Sequence, residues 1–127
     1  MFKLTSLNLN GIRSAAKKGV EAWLEKAKPD CICVQELKAQ AADVAGNFDT
    51  LAGLNGHFHY AEKKGYSGTA IFTKVPPLEV INGLPEDICA KYQLSDSYGD
   101  TTKEGRVLVA EFDGFYVATV YTPNAKD

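Results

Sequence analysis

Apolar and polar positions alternate loosely through residues 2–9, with Phe2, Leu4, Leu7 and Leu9 apolar. That period predicts a β-strand, which the turn dipeptide Asn10-Gly11 ends. From about Ala15 to Lys28 the period changes. Val20, Trp23, Leu24 and Ala27 recur at helical spacing and lay one apolar face along a helix. Pro29-Asp30 closes it, because the proline ring cannot continue the hydrogen-bond ladder. Residues 31–34, CICV, then read as a short, fully buried strand. Strand, helix, strand is a βαβ unit, which favours adjacent parallel strands with their carboxyl ends at one edge of the sheet.

Further on, residues 39–48 carry a weak helical pattern. HFHYAEK (57–63) and GTAIFTK (68–74) read as two strands joined by the Gly-bounded turn KGYSG. Residues 75–105 hold Pro76, Pro77, Gly83, Pro85 and Gly99 and read as loops, with a short helix at 86–92. RVLVAEFDGFYVATVYTP then predicts a hairpin turning on Asp113-Gly114. The chain is read as one α/β domain with a mixed sheet, without repeats, linkers or low-complexity segments.

Composition narrows the class. A length of 127 residues suits one domain with a real core. An apolar content of 45% beside 24% charged residues is that of a folded soluble protein. No apolar run approaches the roughly 20 residues that span a bilayer, so no membrane association is expected. MFKLTSLNLN has no basic region or apolar block, so no secretory signal is expected either. Cys31, Cys33 and Cys89 make neither a disulfide framework nor a zinc spacing. Cys31 and Cys33 share a strand face as small core residues, and a reducing cytoplasm is the expected compartment. The net charge of −2 excludes a generally basic nucleic-acid coat. Any such surface would be a local patch around Lys17-Lys18 or Lys63-Lys64, which otherwise read as solvated lysines.

The chemistry concentrates in DCICVQELK (30–38), where a buried strand runs into a carboxylate and an ammonium rather than into turn residues. The βαβ topology brings Asn8 and Asn10 near Glu36. Mg²⁺ takes hard oxygen ligands and keeps several waters, so one or two carboxylates beside a substrate phosphate suffice. Glu36 with Asn8 or Asn10 suits that ion, and Lys38 adds charge, although a strand-end glutamate also serves as a cap or ion-pair partner. Gly65 and Gly68 would let a backbone approach a phosphate beside Tyr66, or simply form a hairpin turn. Tyr121 follows a buried strand as Glu36 does, and either donates to a phosphate or fills the core edge. Arg106 pairs with a phosphate or with a carboxylate such as Glu104. His57 and His59 share a face but lack a third ligand, which makes a poor zinc site.

The stretches NLNGIR (8–13), KPD (28–30), CVQELK (33–38), KKGYSGTAI (63–71), EGRV (104–107) and VYTPN (120–124) occur in one order along the whole chain. This ordered set resembles the exonuclease III family of abasic-site DNA endonucleases. The resemblance implies half of the four-layer endonuclease/exonuclease/phosphatase (DNase-I-like) sandwich, one mixed β-sheet with flanking helices. It implies Mg²⁺-dependent hydrolysis, with Mn²⁺ as a substitute, of the phosphodiester 5′ to an abasic site in double-stranded DNA. A 3′-to-5′ exonuclease and a 3′-phosphodiesterase activity often accompany it. By position, Glu36 resembles the metal-binding carboxylate and Asn8 the amide supporting the metal and the catalytic centre. Tyr121 resembles the tyrosine on the scissile phosphate, and Asn124 a phosphate-contacting amide. Gly11, Arg13, Lys18 and the Gly65-Tyr66 turn resemble DNA-backbone contacts, with Lys38 and Arg106 added to that surface.

Family members continue into a second half that carries an Asp-x-Asn motif, a further Asp and an Asp-His pair, none of which follows YTPNAKD here. The expectation is therefore a half-domain whose second sheet is missing and whose apolar face needs a second copy or the other half. The competing expectation is an inactive fragment, or a self-associating half that binds DNA without cutting.

Overall fold

The computed structural model describes residues 2–62, 65, 67–83, 95–96, 99–100 and 106–121. Strand β1 (Leu4–Asn8) lies parallel to β2 (Cys31–Gln35), with Leu4 opposite Cys31 and Asn8 opposite Gln35. The crossover between them is helical, as the apolar period predicts, but it starts earlier and is divided. Helix α1 spans Ile12–Lys17 and α2 spans Val20–Ala27. Gly19 separates them at φ +88°, a left-handed turn that interrupts the helical ladder. Leu24 is buried as expected, whereas Trp23 is left 53% exposed. Lys28 ends α2 in the left-handed conformation, its N–H on the carbonyl of Leu24, and Pro29 follows.

Beyond β2 come a single helical turn, α3 (Ala41–Val44), and the strands β3 (Thr50–Leu51), β4 (Leu54–His59) and β5 (Thr69–Thr73). They complete a five-stranded mixed sheet in the order β1-β2-β5-β4-β3. The central pair β2 and β5 is covered on both faces, which is why CICV and TAIFT read as continuous rather than alternating apolar runs.

A second sheet is present. From the segment expected to be loop comes β6 (Glu79–Asn82), which pairs with β9 (Val107–Phe112), and β9 pairs with β10 (Phe115–Val120). The predicted Asp113-Gly114 turn joins β9 to β10, with Gly114 at φ +87°. A short ribbon, β7 (Ser95–Asp96) with β8 (Gly99–Asp100), lies between β6 and β9 in the chain. The predicted helix at 86–92 falls outside the described residues.

Three layers result. On one face of the mixed sheet Ile32, Val34, Ala70 and Phe72 pack with Ile12, Ala15, Leu24 and Leu37 of the helical side. On the other, Cys31, Cys33 and Ile71 pack against Leu108, Ala110, Phe112 and Val117 of the three-stranded sheet. The expectation that no second sheet would cover this face is therefore corrected: the β9–β10 hairpin and β6 supply part of one. His59 ties the layers together through a 2.7 Å hydrogen bond between its Nδ1 and the carbonyl of Val107. Ile81, Tyr116 and Val120 are exposed on the outer face of the three-stranded sheet, beside half-buried Val107 and Val109.

Candidate active site

The site grows from the carboxyl ends of β1 and β2. Past the strands, the backbone continues as a zipper. Gly11 N–H donates to the Glu36 carbonyl at 2.8 Å, Ile12 N–H to that of Leu37 at 2.9 Å, and Lys38 N–H to that of Ser67 at 2.8 Å. Three chain segments thus meet where the sequence puts its polar residues. Four non-glycine residues there, Asn10, Glu36, Lys38 and Ser67, are left-handed, with φ between +46° and +56°. Such conformations cost about 1–3 kcal/mol each and cluster where a side chain must be aimed for function. Asn8 helps to hold the turn, its Oδ1 accepting the Asn10 N–H at 3.0 Å.

Tyr121 arrives from the other sheet. Its N–H donates to the Arg106 carbonyl at 2.8 Å, and its hydroxyl donates to Oε1 of Glu36 in a short hydrogen bond. That acceptor raises the Tyr121 phenol above its ordinary range, and partial burial adds to the effect. The guanidinium of Arg106 stands over the Tyr121 ring, 5.0 Å from its centre. Arg106 is only 7% exposed. The position read as a phosphate contact therefore backs the tyrosine, and the guanidinium sits behind the ring rather than on the open surface.

Cationic side chains gather around this centre. Lys38 Nζ donates to Asn10 Oδ1 at 2.5 Å, and Arg13 donates to the Lys38 carbonyl at 2.9 Å while standing 3.6 Å from Asp43. This last pair is exposed enough to contribute little to stability. Lys18, exposed at the corner between the helices, lines an open hollow of about 310 Å³ with Asn8, Leu7, Val20 and Trp23. Gly65 is exposed at φ +71°, whereas Tyr66 and Asn124 lie outside the described residues. His57 and His59 lie on β4 in the sheet–sheet layer, His59 level with Gln35 across Thr69, and burial lowers the His57 pKa.

Glu36, Asn8 and Tyr121 are thus brought to one edge, ringed by Asn10, Lys38 and Arg13. A carboxylate beside an amide oxygen is a hard donor set of the kind Mg²⁺ takes when waters and a phosphate complete its shell. Among the described residues there is no cluster of three or more His, Cys, Asp or Glu that could hold an ion by itself. One participant escaped the sequence reading. Gln35 follows Cys31 and Cys33 on the same strand face, and its amide donates to Thr119 Oγ1 and Ser6 Oγ. The available signal was a polar residue continuing a buried face.

Known proteins share this fold. Residues 5–125 match the model of the Endonuclease/Exonuclease/phosphatase family. The chain is 38% identical over 126 residues to an exodeoxyribonuclease of Bacillus subtilis, covering 98% of this chain and 44% of that protein. It is 36% identical over 131 residues to the DNA repair nuclease APEX1 of Danio rerio, covering 98% and 37%. Among solved structures, an AP endonuclease from Archaeoglobus fulgidus superposes with a TM-score of 0.70 at 30% identity, over 97% of this chain and 42% of that one. The chain spans less than half the length of each of these relatives.

Proposed function

The chain belongs to the endonuclease/exonuclease/phosphatase family, and from that premise we propose that it forms half of a DNA-repair nuclease site. The reaction is hydrolysis of the phosphodiester 5′ to an abasic site, with accompanying 3′-to-5′ exonuclease and 3′-phosphodiesterase activity. The observation that carries the proposal is the meeting of Glu36 and Tyr121, delivered by two different sheets to the strand ends beside Asn8. Glu36 and Asn8 would hold Mg²⁺, or Mn²⁺ in its place. When bound, the ion offsets the negative charge that develops on the phosphate oxygens. The Tyr121 hydroxyl donates to one of those oxygens, and Arg106 keeps the ring in place from behind. Gly11, Arg13, Lys18, Lys38, the Gly65-Tyr66 turn and Asn124 follow the phosphate backbone, contacts that position a duplex without reading its sequence. An abasic nucleotide lacks base stacking and is extruded at lower cost, which favours the damaged site.

A second reading, favoured for the chain in isolation because no group of three or more His, Cys, Asp or Glu among the described residues could hold an ion by itself, is binding without cutting. One assay separates the two. Incision of a labelled duplex with a single abasic analogue is measured with Mg²⁺ and with chelator. Chelator-sensitive incision 5′ to the lesion supports the nuclease. Salt-dependent binding without incision, in a folded protein, assigns the cutting to partner chemistry.

That partner is either the second half that fills out the relatives' length or, failing it, a second copy of this chain. Among the described residues β1 and β10 are edge strands of their sheets, with Leu4 exposed on the first and Tyr116 and Val120 on the second, and Ile81 is exposed on β6. Edges and apolar patches of this kind invite pairing. Sedimentation of the 127-residue chain at micromolar concentration is expected to show species larger than the monomer; a sharp monomer would overturn the association.

A further inference from the structure

The layer between the two sheets is mostly apolar, with Thr73 buried at its far end and, on the β4 side, bonds from His59 Nδ1 to the Val107 carbonyl and from the Asn82 amide to the Phe58 carbonyl. Cys31, Cys33 and Ile71 face Leu108, Ala110, Phe112 and Val117, and contacts of this kind are non-directional. They hold the sheets together but do little to fix how far one is shifted along the other. At the end nearest Glu36 the pattern changes. The Gln35 amide nitrogen donates to Thr119 Oγ1 at 2.9 Å and to Ser6 Oγ at 3.2 Å. Thr119 is only 3% exposed. One side chain therefore binds three strands, β1 and β2 of the mixed sheet and β10 of the antiparallel one.

The spacing gives this its meaning. Ser6 stands two residues before Asn8, Gln35 directly before Glu36, and Thr119 two residues before Tyr121. Each strand joined by the amide carries its own member of the candidate site one short step further along. A leucine at position 35 would fill much the same space and bury more apolar surface. The polar choice is thus poorly explained by stability, since a neutral hydrogen bond contributes only about 0.5–1.5 kcal/mol net. Its distinctive property is direction: it is made at one relative shift of the sheets and lost at others.

We propose that Gln35 is a positioning residue that sets the shift of the three-stranded sheet on the five-stranded sheet and so brings Tyr121 onto Glu36 beside Asn8. This inference rests on the proposed nuclease reading for its consequence, but its geometric content is separate. Gln35 acts through the strands it joins.

The test compares Gln35→Leu, Thr119→Val and Thr119→Ser with the parent chain. The valine keeps the threonine's shape without its hydroxyl, and the serine keeps the hydroxyl. Thermal unfolding followed by circular dichroism reports the fold. A nuclear Overhauser contact between the Tyr121 ring and the Glu36 side chain, assigned with Tyr121→Phe, reports the geometry without requiring activity. Where incision is measurable, kcat and KM are separated. Gln35→Leu and Thr119→Val are expected to fold, to lose the Overhauser contact, and to lose roughly tenfold to a hundredfold in kcat, as a misplacement of about 1 Å can cause. KM is expected to move little, and Thr119→Ser to restore both signals. An undiminished contact in Gln35→Leu, or Thr119→Ser as impaired as Thr119→Val, would overturn the inference. Should Gln35→Leu not fold, the two Thr119 variants decide it. Failure of the nuclease reading looks different: incision would be absent in the parent chain, or indifferent to Glu36, while the Overhauser comparison still stands.

Discussion

Glu36→Gln is expected to reduce incision of an abasic duplex by at least 10²- to 10³-fold, on the order of what removal of one group stabilising transition-state charge costs. The substitution is nearly isosteric. Glutamine keeps an oxygen that can accept the Tyr121 hydroxyl, and the zipper from Gly11 to the Glu36 carbonyl involves backbone only. The fold and the tyrosine's position should therefore survive. What disappears is the negative charge at the end of β2, on the carboxylate proposed to hold the metal. A neutral amide is a weak ligand for a hard, strongly hydrated cation. The loss should appear mainly in kcat and should be only partly relieved by raising Mg²⁺. Initial rates on a labelled duplex across a Mg²⁺ titration measure it, with unfolding temperature as the control. A rate within threefold of the parent, in a folded variant, would remove Glu36 from the chemistry.

How much of this was legible in the sequence depends on which force placed each residue. The β1-α-β2 crossover could be read because turn dipeptide, apolar period and proline all agree, and topology then required Asn8 and Glu36 to share an edge. The Asp113-Gly114 hairpin was legible for a similar reason, since a two-residue turn needs residues that tolerate positive φ. Strand β6 was not. Glu79–Asn82 sits behind two prolines and is only four residues long, and it is a strand because β9 offers it an edge, a tertiary cause that no local pattern records. The division of the crossover at Gly19 was missed because one glycine in a helical pattern is often tolerated.

The site shows the same partition. Residue roles at Glu36, Asn8 and Tyr121 came from resemblance, and their convergence came from strand topology. The left-handed conformations of Glu36 and Lys38 could not be foreseen, because neither is a residue that favours that region and both are held there by surrounding hydrogen bonds. The contact of Arg106 with the Tyr121 ring was not legible in the sequence, for an electrostatic reason. An arginine before a strand normally points to water, but here the Tyr121 ring gives its planar cation a face to lie against. Gln35 was overlooked as a participant because its partner Thr119 is 84 residues away in the chain.

Phe72→Ala is expected to be the most destabilising single change, at about 3–5 kcal/mol. Phe72 is fully buried in the middle of β5, level with Ile32 of β2 and Gly56 of β4. Phe58 meets its ring edge-on, with centroids 5.5 Å apart. The space is closely fitted. A Cβ added to Gly56 would lie 2.8 Å from the Phe72 ring and 2.6 Å from that of Phe58, so glycine there is what lets the two aromatics lie over β4. Removing the Phe72 ring leaves a cavity that the sheet cannot close, because β5 is paired along both edges and its backbone is fixed by those ladders. Domains of this size have only about 5–15 kcal/mol of net stability. A urea titration should therefore move its midpoint by more than about 1 M at an unchanged slope. A cost below about 1 kcal/mol would mean that the helical layer can move in to fill the space. The consequence reaches the site without touching it. β5 pairs with β2 from Thr73 opposite Cys31 to Thr69 opposite Gln35. Loosening that ladder frees the strand end that aims Glu36, so activity should fall with the folded fraction and, near the midpoint, ahead of it.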